Sequence, residues 1–99
     1  MQDPIRKIFL AFIQIHILHH AEKSPIYGSW MIDELKHHGY SISSGTLYPI
    51  LHNMEKTKLL TSQKKTINGK IRKYYSITQE GKNTLKQAKN KINELQAEI

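Results

Sequence analysis

The residues with the most evident chemistry in this chain are its six histidines. His16 and His20 stand four positions apart, a spacing that places two imidazoles on one face of a helix and that zinc sites use. Glu22 could serve as a third ligand, but nothing in the sequence requires it to do so. His37 and His38 lie at the end of a second predicted helix, where an imidazole suits the helix dipole. We therefore expect packing or surface roles for the histidines and predict neither a metal site nor a cofactor.

Positive charge is concentrated in the second half of the chain. Residues 1–57 include five basic and five acidic residues, whereas residues 58–99 include ten basic and three acidic ones. Between Lys58 and Lys73 there are six basic residues and no acidic residue. A surface of one sign favours a polyanion, most commonly nucleic acid, although a charge run can also serve only to keep a protein soluble.

The composition excludes several classes of protein. A chain of 99 residues is expected to form one compact unit. It has no cysteine, which excludes a disulfide scaffold, a thiolate zinc site and a thiol nucleophile. Its most apolar run, residues 8–18, is too short for a membrane span, so we expect a soluble, cytoplasmic protein without a membrane partner. Because no nucleophile–base pair, phosphate-binding loop or carboxylate pair is recognisable, we do not expect an enzyme.

Three helices are predicted in the first half of the chain, at about residues 4–21, 27–38 and 43–57. Asp3-Pro4 combines a preferred N-cap residue with a preferred first helical residue. Gly39 is typical of the position that closes a helix. The third helix has an inward stripe at i, i+3, i+4 and i+7, formed by Leu47, Ile50, Leu51 and Met54.

The opposite face of the third predicted helix is polar. It includes Ser43, which with Ser44 is a candidate N-cap, and further along it carries His52 and Asn53. Side chains of these types can contact phosphates and base edges. We therefore expect Ser43, His52 and Asn53 to belong to a DNA-binding surface.

A hairpin and a fourth helix complete the predicted elements. Two strands, Leu59–Thr66 and Lys70–Ile77, flank Asn68-Gly69, the strongest short hairpin signal because both turn positions need positive φ. Thr78 is placed to cap the last helix. We expect the basic hairpin to bind DNA through Lys64, Lys65, Lys70, Arg72 and Lys73.

The first and last helices carry more apolar residues than one small core can bury. The first helix has two apolar stripes, which indicates burial on more than one side. The last helix has a seam with heptad spacing, too short to hold a free coiled coil together. We therefore predict a homodimer with an interface formed by Ile5, Phe9, Phe12, Leu85, Ala88, Ile92, Leu95 and Ile99.

Three helices followed by a basic hairpin and a helix are typical of a winged helix-turn-helix, so the fold class is mainly α with a small β-hairpin. The third helix, at about residues 43–57, would enter the major groove. The hairpin, the wing at residues 60–77, would lie along the DNA backbone.

The segment Ser44-Gly45-Thr46-Leu47-Tyr48-Pro49-Ile50-Leu51 resembles the signature of the PadR family of bacterial and archaeal transcriptional regulators. The resemblance extends to Tyr27-Gly28, to the wing segment 72–78 and to Gly81, and the chain resembles the short subtype with one C-terminal helix. It implies a homodimeric repressor in which the first and last helices of the two subunits interlock. It also implies DNA contacts by Ser44, Thr46 and Tyr48 and phosphate contacts by Lys70, Arg72 and Lys73.

These features predict a sequence-specific DNA-binding transcriptional regulator, a homodimeric repressor that binds double-stranded DNA at a pseudo-palindromic operator. Residues 1–78 would form the winged helix-turn-helix domain, and residues 79–99 the dimerisation helix that packs with the first helix. The sequence does not support a small-molecule effector, since the last helix lacks aromatic residues. The alternative is a winged-helix interaction module that binds an acidic protein partner.

Overall fold

The architecture is four helices and one antiparallel hairpin, in the order that the sequence predicts. The computed structural model describes residues 3–99. Within this range the elements are α1 (Pro4–Lys23), α2 (Gly28–His37), α3 (Ser44–Lys56), β1 (Leu60–Ile67), β2 (Lys70–Ile77) and α4 (Gln79–Glu98). This arrangement confirms a mainly α winged helix-turn-helix with a C-terminal helix.

Local capping explains where the first two helices begin and end. The Asp3 carboxylate accepts a hydrogen bond from the Ile5 N–H at 3.0 Å, which satisfies one of the free donors at the start of α1. Helix α1 continues to Lys23, two residues beyond the predicted end. In α2, Tyr27 is the N-cap rather than a helical residue, and Gly39 follows the helix with φ +88°. Only glycine adopts that conformation without strain.

The N-cap of α3 lies at Ser43, one of the two predicted positions, but its side chain does not cap the helix backbone. The Ser43 hydroxyl instead lies 3.4 Å from the Thr46 hydroxyl. Three residues of the predicted inward stripe, Leu47, Leu51 and Met54, are fully buried. They fix the rotation of α3 and leave its polar face outward.

The wing is a two-stranded antiparallel sheet in which Leu60 pairs with Ile77 and Ile67 with Lys70. Its first strand therefore runs from residue 60 to 67, one residue later than predicted. Asn68 and Gly69 both have positive φ, at +50° and +77°, as the two-residue turn requires.

Helix α4 is tied to the base of the wing through its N-cap. The Thr78 hydroxyl accepts from the Gly81 N–H at 3.0 Å and donates to the Lys58 carbonyl at 2.6 Å. A Cβ at Gly81 would clash with the backbone carbonyl oxygen of Leu59, so this close approach requires glycine.

The core collects apolar side chains from every element, with residues such as Ile17, Met31, Leu51 and Tyr75 almost completely buried. Leu85 of α4 also belongs to this core and is 2% exposed. This position corrects the prediction that Leu85 contributes to a dimer interface, because α4 packs against α1 and β2 of its own chain and leaves Leu85 no free surface. Ala88 and Ile92 are half-buried.

Apolar side chains remain exposed at the outer ends of α1 and α4. Ile5 is 54% exposed, Phe9 51%, Leu95 57% and Ile99 90%, and Phe12 stands at 36%. The radius of gyration is 14.2 Å, larger than the ~12.5 Å expected for a compact domain of this length. Within residues 3–99 no helix has the length and apolar character needed to cross a membrane.

Candidate nucleic-acid interface

The outward face of α3 is polar and accessible. Ser43, Ser44, His52 and Asn53 are exposed, whereas Thr46 is half-buried. These side chains offer hydroxyl, imidazole and amide groups, which are donors and acceptors for phosphate oxygens and base edges.

Tyr48 stands on the same face of α3 but is held from one side by α2. Its side chain is 40% exposed. The ring lies so close to Gly28 that a Cβ built there would be 2.5 Å from the Tyr48 hydroxyl and 2.6 Å from Cζ. The absence of a side chain at Gly28 therefore sets where the Tyr48 hydroxyl points.

The wing pairs positive charges across its two strands. Lys64 lies opposite Lys73, and Lys65 lies opposite Arg72. Like charges directly opposite each other destabilise a sheet. Such a placement favours an anionic partner that would neutralise the repulsion.

Arg72 is held in place by aromatic side chains. Its guanidinium lies 4.1 Å from the centroid of the Tyr27 ring, a cation–π contact. Tyr27 in turn meets Tyr74 edge-to-face at 5.5 Å, and Lys65 lies 5.4 Å from the Tyr74 ring. Tyr75, the next residue, faces the core.

Lys73 is the one basic residue of the paired wing positions that contacts a carboxylate. Its ammonium lies 3.3 Å from Glu55 of α3, and the other Glu55 oxygen accepts a hydrogen bond from the Ser62 hydroxyl at 2.5 Å. The Ser62 hydrogen bond, assisted by Lys73, lowers the pKa of Glu55 against the opposing effect of burial. Desolvation acts to lower the pKa of Lys73, but the combined interactions with Glu55 and Tyr75 outweigh it, so this pKa is raised. Lys73 thus positions the wing against α3 and is less available to a phosphate than Lys64, Lys65 or Lys70.

Tyr48 of α3 and the wing line a common cleft of about 210 Å³. The start of α2 forms one wall through Tyr27, Gly28 and Ser29, and Tyr48 and Arg72 stand on the others. Backbone N–H groups at the start of a helix favour anions. The cleft therefore brings together three groups that can bind a phosphate: the N–H groups at the start of α2, the Tyr48 hydroxyl and the Arg72 guanidinium.

Four of the histidines form a separate cluster away from that surface. The rings of His16 and His38 stack at 4.6 Å, and His19 and His20 meet edge-to-face at 5.1 Å. Burial, followed by the charge of His38, lowers the pKa of His16. Burial also lowers the pKa of His20 against the influence of Glu34. Neutral imidazoles with a free lone pair are therefore favoured at neutral pH.

The structure brings Tyr48, Arg72 and Lys73 together at one cleft, but sequence reasoning missed the residues that position Arg72 and Lys73. Tyr27 holds Arg72, and Glu55 holds Lys73. In the sequence, Tyr27-Gly28 stands out only as a dipeptide that is part of the resemblance to the PadR family. The role of Glu55 depends on how α3 packs on the wing, which no local pattern reveals.

Comparison with known proteins agrees with this geometry. The sequence profile of the transcriptional regulator PadR-like family matches residues 17–87. The chain is similar to the transcriptional regulator Rv3488 of Mycobacterium tuberculosis, with 38% identity over 95 residues that cover 96% of this chain and 89% of the relative.

Solved structures give the same result. A PadR-like transcription factor from Bacteroides fragilis superposes with a TM-score of 0.82 at 28% identity, covering 96% of this chain and 94% of the other. A PadR-like transcriptional regulator from Bacillus cereus gives a TM-score of 0.83 at 29% identity, covering 92% and 90%. These relatives are regulators of transcription and not enzymes, and the profile match extends over most of the chain. The chain belongs to the PadR family of DNA-binding transcriptional regulators.

Proposed function

We propose that the protein is a homodimeric repressor that binds a pseudo-palindromic operator. The observation that carries the proposal is the wing, whose two strands carry five basic residues and no acidic one beside the polar face of α3. The repressor role itself rests on the resemblance to the family.

In this proposal α3 lies in the major groove. Ser43, Ser44 and Thr46 are at its N-terminal end, the part of a recognition helix that meets base edges. His52 and Asn53 lie further along the same helix, and both are exposed. Sequence preference would therefore come from α3, with Tyr48 directed by Gly28.

The wing supplies affinity that does not depend on sequence. Lys64, Lys65 and Lys70 are exposed, and three such lysines on each subunit give about six phosphate contacts per dimer. Log K should then fall with log salt at a slope of about −5. Arg72 and Lys73, held by Tyr27 and Glu55, would shape the wing and contribute less to that slope.

The dimer would form through the exposed apolar residues of α1 and α4, namely Ile5, Phe9, Phe12, Leu95 and Ile99, with the half-buried Ala88 and Ile92 beside them. Side chains of this size left in water on two neighbouring helices favour burial against a second copy. In the proposed division of the chain, residues 1–78 bind DNA and residues 79–99 dimerise with the help of α1. A symmetric dimer would present two α3 helices about 34 Å apart, one turn of DNA.

A mobility-shift titration tests the proposal. The probe is DNA from immediately upstream of the protein's own gene, and the competitor is random DNA of equal length. We expect a discrete complex that survives excess competitor. If the random competitor displaces the probe as readily as DNA of the probe's own sequence does, sequence-specific recognition of that site is excluded. No binding at low salt would refute the proposal and favour the alternative, an interaction module whose wing binds an acidic protein.

A further inference from the structure

We propose that His16, His20, His38 and Glu34 bind a zinc ion that joins α1 to the end of α2. The donor atoms of the three histidines all lie within 4.8 Å of one another. His16 and His20 come from adjacent turns of α1, whereas Glu34 lies in α2 and His38 follows it. The group within this distance is the three histidines. Glu34 joins it through its contacts with His20 and His38. Glu22, the third ligand suggested by sequence spacing, does not belong to the group.

The distances around Glu34 fit the spacing of zinc ligands. One Glu34 carboxylate oxygen lies 3.0 Å from Nε2 of His38, in a hydrogen bond that zinc would replace, and 3.5 Å from Nε2 of His20. Ligand atoms about 2.0 Å from a tetrahedral zinc ion are ~3.3 Å apart, so these two distances bracket the required value. The His16 donor atom lies within 4.8 Å of those of His20 and His38, so a small side-chain rotation would bring it to the same spacing.

Nε2 of His20 gives a second, independent reason for a ligand. This atom is buried and has no hydrogen-bond partner among the described residues. The nearest Glu34 oxygen lies 3.5 Å away and does not form a hydrogen bond with it. An unsatisfied buried polar atom destabilises the folded state, and a bound cation would satisfy it.

The donor set selects the class of ion. Three imidazoles and one carboxylate suit zinc, and also copper, iron and nickel, better than magnesium or calcium. The cluster is reached from solvent through His38, whose side chain is 42% exposed, while His20 is 15% exposed. An ion could therefore enter without unfolding α1 or α2. The cluster is the only group of this kind among residues 3–99.

Bound zinc would connect α1 to the end of α2. Helix α1 carries exposed apolar residues, and α2 packs directly against α3. The ion would thus fix the start of the helix-turn-helix relative to α1. Zinc binding itself does not depend on the proposed operator, so it can be tested without DNA.

The test is calorimetric titration of untagged, chelator-treated protein with zinc chloride, together with thermal unfolding and tryptophan fluorescence. We expect one zinc ion per chain and a rise in Tm of about 11–22 °C when zinc exceeds its Kd a hundredfold. Trp30 is the only tryptophan, and its ring lies 5.4 Å from His20. Its fluorescence should therefore change over the same zinc range.

Two neighbouring histidines provide matched variants. His38→Asn removes a proposed ligand, and His37→Asn alters the adjacent exposed histidine, which is outside the cluster. Loss of a partner that only orients a metal ligand weakens binding 10–100-fold, so His38→Asn should weaken zinc binding at least tenfold. His37→Asn should bind zinc as the unchanged protein does.

Glu34→Gln is a second ligand variant, needed in case His38→Asn fails to fold. Without zinc, His38→Asn and Glu34→Gln should both have the circular dichroism of the unchanged protein. We expect Glu34→Gln to weaken zinc binding as well. The proposal is overturned by absence of saturable zinc binding in the unchanged protein. It is equally overturned if His38→Asn binds zinc normally, or if His37→Asn loses as much affinity as His38→Asn.

Discussion

Replacing Gly28 by alanine should weaken operator binding through Tyr48 while leaving the fold nearly as stable. The new Cβ would meet three Tyr48 atoms at 2.5–2.7 Å, whereas ordinary contacts begin at 3.4 Å. The ring must therefore retreat by about 1 Å. Because Tyr48 is 40% exposed, it has room to move outward.

The effect on stability should be small because two contributions oppose each other. Gly28 does not have a positive φ, so alanine is compatible with the backbone and restricts the unfolded chain, a gain of about 0.4–1 kcal/mol. Displacement of the ring removes a comparable amount of packing. We expect Tm to change by less than about 8 °C.

The effect on DNA binding should be larger, because each dimer contains two Tyr48 side chains. A hydrogen bond of typical strength contributes about 1 kcal/mol. Its loss in both subunits costs about 2 kcal/mol, which is roughly a thirtyfold increase in Kd. The assay is fluorescence anisotropy with labelled operator DNA, carried out beside thermal unfolding.

A double-mutant cycle separates this cause from a general disturbance. In a Tyr48→Ala background the clash is absent, so Gly28→Ala should have no further effect on Kd. Equal and additive losses in the two backgrounds would refute the idea that Gly28 acts by directing Tyr48. An unchanged Kd in Gly28→Ala alone would remove Tyr48 from the DNA contacts.

Three further variants test the wing and the dimer. Because its folded pKa is lowered, the Glu55 carboxylate stabilises the protein above about pH 4.5 and loses this effect as pH falls through the folded pKa. Glu55→Gln should therefore lower Tm at pH 7, with a loss that shrinks as pH falls through the folded pKa, and a loss of the same size throughout the acid range would contradict the ion pair. Lys65→Ala should weaken binding to operator and random DNA alike and reduce the slope of log K against log salt by about 2 per dimer. A loss of affinity confined to the operator would instead assign Lys65 to base recognition. Phe9→Asp should give monomers in sedimentation with unchanged circular dichroism, and persistent dimers would remove Phe9 from the interface.

Local signals predict most of the fold. Asp3, Thr78 and the Asn68-Gly69 turn act through residues adjacent in sequence, and each occupies the structural position expected from its chemistry. The inward stripe of α3 also follows from spacing alone. The outer boundaries shift by one or two residues because neighbouring packing extends or shortens the last turn.

Contacts between elements could not be read from the sequence. His38 meets His16 because α2 packs against α1, and Lys73 meets Glu55 because α3 packs against the wing. Leu85 follows the heptad pattern, yet it is buried against its own chain. A repeat shows which face of a helix is apolar, but not which surface covers that face.

The most direct test of the central claim is a footprint of the dimer on DNA from upstream of its own gene. Two α3 helices related by a two-fold axis should protect two half-sites with centres about 10 base pairs apart and inverted sequences. Protection of a single site, or of two sites without that symmetry and spacing, would contradict a dimer that places both recognition helices in successive major grooves.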